Sequence, residues 1–67
     1  MKIKSKAQRR LEKLPNVEIL NWIDQAGSGM AKAVDDYRRL GMPESLAEAK
    51  MGAEVVLVAL EVIQART

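Results

Sequence analysis

The stretch "DQAGSGMAKA", residues 24–33, places two glycines and a serine inside a pattern that is otherwise typical of a helix. Apolar residues recur on both sides of it in alternating steps of four and three, with no change of phase across the glycines. Such spacing is that of a helix-packing seam. It predicts one continuous helix over residues 16–40, with a seam formed by Ile19, Ile23, Ala26, Met30, Ala33, Tyr37 and Leu40.

Glycines inside this helix need a structural reason, because two of them cost about 2 kcal/mol relative to alanines. Leu20, Gly27 and Val34 are seven residues apart, which places Gly27 beside the seam. We therefore predict close helix packing at Gly27, where the missing side chain lets another backbone approach. A break or kink is the alternative. A phosphate-binding loop is disfavoured, since no strand precedes the stretch and the glycine–lysine spacing fits no P-loop.

Two prolines mark the boundaries of this helix. Pro15 separates it from residues 1–14, where Ile3, Ala7, Leu11 and Leu14 have the spacing of a short amphipathic helix. Asn16 is then expected to be the N-cap of the second helix.

The connection to the third helix is short, with Gly41 as a candidate C-cap and Pro43 in a first-turn position. Ser45 and Glu48 form an alternative capping box. With the third helix over residues 44–65, we expect a single all-α domain in which a short N-terminal helix precedes an antiparallel two-helix hairpin.

The third helix is apolar nearly all round, and such a helix is normally buried nearly all round. One stripe is expected to face the second helix: Leu46, Ala49, Ala53, Val56, Leu60 and Ile63. A second stripe predicts an interface between copies of the chain: Met51, Val55, Val58 and Val62. Pairing of hairpins into a helical bundle, as a dimer or a larger homo-oligomer, would bury it. Coverage by the first helix, acting as a lid, is the alternative.

Charge is unevenly distributed along the chain, although its net value is only +2. Residues 1–13 hold six basic side chains against one acid, a net charge of +5, whereas the remainder holds five basic and eight acidic side chains, a net charge of −3. The basic segment suggests phosphate or nucleic-acid contact. The alternative is a solvated amphipathic helix with a structural role. The candidate contact residues are Lys4, Lys6, Arg9, Arg10 and Lys13.

Composition argues against several functional classes. The chain has no Cys and no His, so thiol chemistry, most zinc sites and the usual general base are absent; we expect no catalytic residue, metal or cofactor. No apolar run is long enough for a membrane span or a signal peptide, so a cytoplasmic protein is expected.

Two further features are expected to be structural. Asp35 and Asp36 should pair with Arg38 and Arg39 on the surface of the second helix. Trp22 is expected to pack in the core, with a partner contact as the alternative.

The stretch "LPNVEILNWIDQAGSGMAKAVDDYRR", residues 14–39, resembles small uncharacterised α-helical proteins of bacteriophages, particularly phages of actinobacteria. The layout of a short helix before a hairpin that oligomerises is also similar to phage proteins that sequester cyclic nucleotides. These resemblances imply a non-enzymatic phage accessory protein in the host cytoplasm, which binds itself and a host or phage component. Nucleotide or nucleic-acid binding by the basic segment is the alternative function.

Overall fold

The computed structural model describes residues 6–67. In this part of the chain there are three helices and no strand, which confirms the all-α prediction: α1 is Lys6–Glu12, α2 is Asn16–Leu40 and α3 is Pro43–Ala65. The first five residues of the predicted basic helix, including Lys4, lie outside the described residues.

Helix α2 continues through Gly27, Ser28 and Gly29, so a break at these glycines is wrong. The helix begins at Asn16, and the amides of Glu18 and Ile19 donate to the Pro15 carbonyl oxygen at 3.0 and 3.1 Å. The expectation that Asn16 is the N-cap is therefore wrong. Since Pro15 already has the extended backbone of a capping position, Asn16 is the first helical residue and its side chain is available for another contact.

The connection between α2 and α3 consists of Gly41 and Met42. Gly41 has φ 67° and ψ 21°, and its amide donates to the Tyr37 carbonyl oxygen at 2.8 Å. This left-handed conformation is one that glycine adopts without a steric penalty, so the predicted C-cap is confirmed. Pro43 is the first residue of α3, and Ser45 lies buried within the first turn, so the alternative capping box is not formed.

Helix α3 packs along α2 through a face of small side chains. This face consists of Ser45, Ala49, Gly52 and Ala59, all buried or half-buried. A Cβ added to Gly52 would lie 3.0 Å from the carbonyl oxygen of Ala26 and 3.1 Å from the Cβ of Met30. The two backbones therefore approach closely at the middle of both helices.

The expected seam of α3 is correct at half of its positions: Ala49 is buried, and Val56 and Ile63 are half-buried. Leu46, Ala53 and Leu60 are exposed instead, and the buried or half-buried residues at 45, 52 and 59 each precede one of them by one residue. Because α3 is apolar on most of its circumference, hydrophobic spacing alone does not distinguish its faces. The smaller residues face α2 since they permit the closer approach.

The core lies where α1, the start of α2 and the end of α3 meet. It is built on the buried side chains of Leu11, Ile19, Ala59 and Val62, with Leu14, Ile23, Val58 and Ile63 packed against them. On the surface of α2, Arg39 pairs with Asp35 at 3.1 Å and with Asp36 at 2.7 Å, and Arg38 lies 3.9 Å from Asp35. The predicted ion pairs are therefore confirmed, and their exposure limits each to a few tenths of a kcal/mol.

Candidate binding groove and open apolar face

Helix α1 forms one wall of a groove of about 650 Å³. This volume is in the range of small-molecule sites, about 300–1,000 Å³. Leu11 and Leu14 point from α1 toward the core, and Val55 of α3 contributes to the groove beside them. We call this cavity the α1 groove. Its lining is Lys6, Ala7, Arg10, Leu11, Lys13, Leu14, Glu18, Trp22 and Val55.

Three of the predicted phosphate-contact residues lie together at this groove. Lys6, Arg10 and Lys13 are spaced by four and three residues, so they share one side of the chain around α1. Arg9 is exposed and does not line the groove. Among residues 6–67, none of the ion pairs involves Lys6, Arg10 or Lys13, so their charges are available to a ligand.

Helix α2 contributes Glu18 and Trp22, one turn apart, to the lining of the same groove. Trp22 is 50% exposed, so the expectation that it packs in the core is wrong. The groove leaves half of the indole exposed, so the ring presents an apolar surface to a ligand that binds there. Glu18 adds a negative charge to a lining that also contains the three cations.

The stripe expected to join copies of the chain does not form one outward face. Val62 is only 4% exposed and belongs to the core, and Val58 packs against that core. Val55 lines the α1 groove, whereas Met51 is 66% exposed. Helix α1 packs against α3, and the core it shares with α3 includes Val58 and Val62 but not Met51, so the alternative in which the first helix covers the stripe holds at one end of the stripe only.

The prediction of close packing at Gly27 is also wrong within the chain. A Cβ added there would have nothing within 4 Å, and the same holds at Gly29. The close approach occurs at Gly52 instead. A signal was present in the sequence, since Ser45, Ala49, Gly52 and Ala59 are small residues at helical spacing, but the larger side chains beside them dominate the hydrophobic pattern.

A second set of exposed apolar side chains lies on α2 and α3. Helical geometry places Leu20 and Val34 on the flank of α2 opposite Trp22, and Leu46, Leu57 and Leu60 on the flank of α3 opposite Val58. All five exposed side chains are large and apolar, with exposed fractions from 41 to 58%. We call Leu20, Val34, Leu46, Leu57 and Leu60 the open face.

Arg66 is a structural residue that the sequence does not reveal. Its guanidinium donates to the Asn16 side-chain oxygen at 2.7 Å and to the Glu12 carbonyl oxygen at 2.9 Å. These bonds join the end of α3 to α1 and to the first residue of α2, and so hold the α1 groove at one end. Contacts across fifty residues leave no local pattern, which is why this role is not predictable from spacing.

Other kinds of site are not found in the described residues. From Lys6 to Thr67 there is no group of three Asp or Glu side chains that could hold a metal ion. None of the helices in the same range is long and apolar enough to cross a membrane. No family model matches the chain, and no curated protein or solved structure is similar to it at a significant level.

Proposed function

We propose that this protein is a non-enzymatic helical interaction module that assembles with itself through the open face. The observation that carries the proposal is the distribution of apolar side chains. Within residues 6–67 the buried apolar residues are six, and three of them are alanines, whereas eleven large apolar side chains are exposed. A core of this size contributes little stability to so small a domain, and oligomerisation is a common remedy.

The arrangement of α2 and α3 suits pairing with a second copy. In this proposal they form an antiparallel hairpin, consistent with the contact of Arg66 with Asn16 and of Gly52 with Ala26. The open face then has large side chains toward its ends and the small residues Gly27 and Ala53 near its middle. A two-fold related copy could bring its helices close at this centre and complete a four-helix bundle.

The free energy available matches a weak to moderate dimer. Burying a leucine or valine fully is worth roughly 1.5–3 kcal/mol, and about half of each open-face side chain is exposed. Ten such side chains in two copies would contribute on the order of 8–15 kcal/mol. Association costs about 4–15 kcal/mol in lost freedom, so the two terms are of similar size and the open face supports a weak association.

The resemblance of residues 14–39 to small phage proteins supports a role as a phage accessory protein in the host cytoplasm. In that role the assembled module would present the α1 groove to a host or phage component. The groove is on the side of α3 away from the open face, so self-association leaves it accessible.

A second candidate function is nucleotide or nucleic-acid binding by the basic segment. The observation that favours it is that Lys6, Arg10 and Lys13 line the same groove as Trp22. Cations can contact phosphates and an indole can stack on a base. A protein surface that binds nucleic acid by stacking usually has several aromatic side chains, whereas Trp22 and Tyr37 are the only two in this chain.

The test of the proposed function is the oligomeric state of open-face variants. Sedimentation velocity over a range of concentrations is expected to show a dimer or larger species for the wild type. Leu20→Glu with Leu60→Glu should give a monomer, because like charges would meet in the interface. Met51→Glu is the matched control, since Met51 is exposed on the other side of α3. Wild-type protein that stays monomeric at high micromolar concentration, or equal dissociation by Met51→Glu, contradicts the proposal.

A further inference from the structure

We propose that the α1 groove binds a small amphiphilic anion, a molecule with an aliphatic chain and one negatively charged head group. The apolar part of the groove is formed by Ala7, Leu11, Leu14, Val55 and the Trp22 ring. The charged part is formed by Lys6 and Arg10 of α1 and by Lys13, which directly follows α1. Both parts line one cavity of about 650 Å³, and each fits one end of such a ligand.

Charge complementarity fixes the orientation of the ligand. The anionic head lies at the α1 wall, where three cations without ion-pair partners among residues 6–67 converge. The carboxylate of Glu18 also lines the groove and disfavours an anionic head group beside it. The chain of the ligand then lies between Val55 and Trp22, where it removes apolar surface from water.

The lining favours an aliphatic body over a nucleobase. A base has several donors and acceptors on its edges, and they need partners when the base leaves water. Among residues 6–67, the lining side chains that carry no charge are Ala7, Leu11, Leu14, Val55 and Trp22, and their surfaces are mainly apolar. An alkyl chain has no polar atoms, so it loses no hydrogen bonds to water when it enters the groove.

Trp22 provides the readout, because it is the only tryptophan in the chain and lies in the groove wall. Decanoate, a soluble amphiphilic anion, is expected to shift Trp22 emission to shorter wavelength in a saturable manner below its micellar concentration. Acetate, which has the carboxylate alone, and decyl maltoside, which has the chain without charge, should bind at least about tenfold more weakly. Raising the ionic strength should weaken decanoate binding by screening the cations.

Matched variants on α1 separate the groove from general attraction to a basic segment. Arg10→Gln with Lys13→Gln should weaken decanoate binding by about tenfold, whereas Arg9→Gln, which removes a charge outside the groove, should leave it within about twofold. Val55→Phe, which fills the groove, should also reduce binding. Circular dichroism checks that each variant keeps its helices.

Four results would overturn the proposal. They are no emission shift with decanoate, equal binding of decyl maltoside, equal loss of binding in Arg9→Gln, and tighter binding of a nucleotide such as AMP than of decanoate. A shift that occurs only with vesicles containing anionic phosphatidylglycerol would also overturn it, since a membrane surface and not the free amphiphile would then be the ligand.

Discussion

Gly52 of α3 lies so close to Ala26 of α2 that a Cβ at residue 52 would be 3.0 Å from the Ala26 carbonyl oxygen. That oxygen belongs to a helix backbone and has little freedom to move aside. The contact therefore fixes the distance between α2 and α3, and it makes residue 52 a position where close packing, and not backbone conformation as at Gly41, requires glycine.

The first prediction compares glycines by substitution to alanine. Gly52→Ala should lower the free energy of unfolding by about 1–2 kcal/mol, because overpacking against Ala26 and Met30 outweighs the gain in helix propensity. Gly29→Ala should raise it by about 0.5–1 kcal/mol, since its Cβ meets nothing within 4 Å. Thermal unfolding measures both, and a stabilised Gly52→Ala protein would show that the helices separate at little cost.

A second prediction concerns the two ends of the stripe on α3. Val62→Glu should unfold the protein at every concentration, because it places a charge without a partner in the core. Met51→Glu should change the free energy of unfolding by less than about 0.5 kcal/mol, since residue 51 is exposed. Circular dichroism during urea unfolding distinguishes the two. A folded Val62→Glu monomer would contradict the placement of Val62.

These contrasts show what the sequence predicts and where it fails. The apolar spacing around residues 24–33 predicts the extent of α2 correctly, because its phase continues through the glycines, but Tyr37 and Leu40 of the expected seam are 41 and 63% exposed. The faces of α3 are not predictable in the same way, since nearly every position is apolar and steric fit decides which one is buried. Likewise, the clustering of Lys6, Arg10 and Lys13 follows from helical spacing, whereas the position of Trp22 in the same groove depends on tertiary packing.

The third prediction concerns the attachment of α1 by Arg66. Arg66→Ala removes the bonds to Asn16 and to the Glu12 carbonyl oxygen, which together should contribute about 1 kcal/mol at this exposed site. Hydrogen exchange should increase first at the amides of α1. Arg66→Lys should be nearly as destabilised as Arg66→Ala, because an ammonium lacks the planar fork that reaches both oxygens. Unchanged exchange in α1 would show that Leu11 and Leu14 alone hold the helix.

The fourth prediction addresses the second candidate function. If the basic segment binds nucleic acid, affinity should fall steeply with salt, with a log–log slope of about −3 when Lys6, Arg10 and Lys13 each contact a phosphate. Replacement of Lys4, Lys6, Arg9 and Arg10 by Gln should abolish binding and preserve the helical signal. A gel-shift series over salt concentration tests this. No retardation of DNA or RNA at low salt would exclude that function.

The docking of α1 on the end of α3 determines an order of folding. Helices α2 and α3 are joined by two residues, so their pairing closes a short loop and loses little chain entropy. The contacts of Arg66 with Asn16 and Glu12 join residues 50 and 54 positions apart, and such long-range contacts form late. We therefore expect helix α1 to dock last during folding and to detach first during unfolding. Partial unfolding would expose Val58 and Val62 while α2 and α3 stay paired.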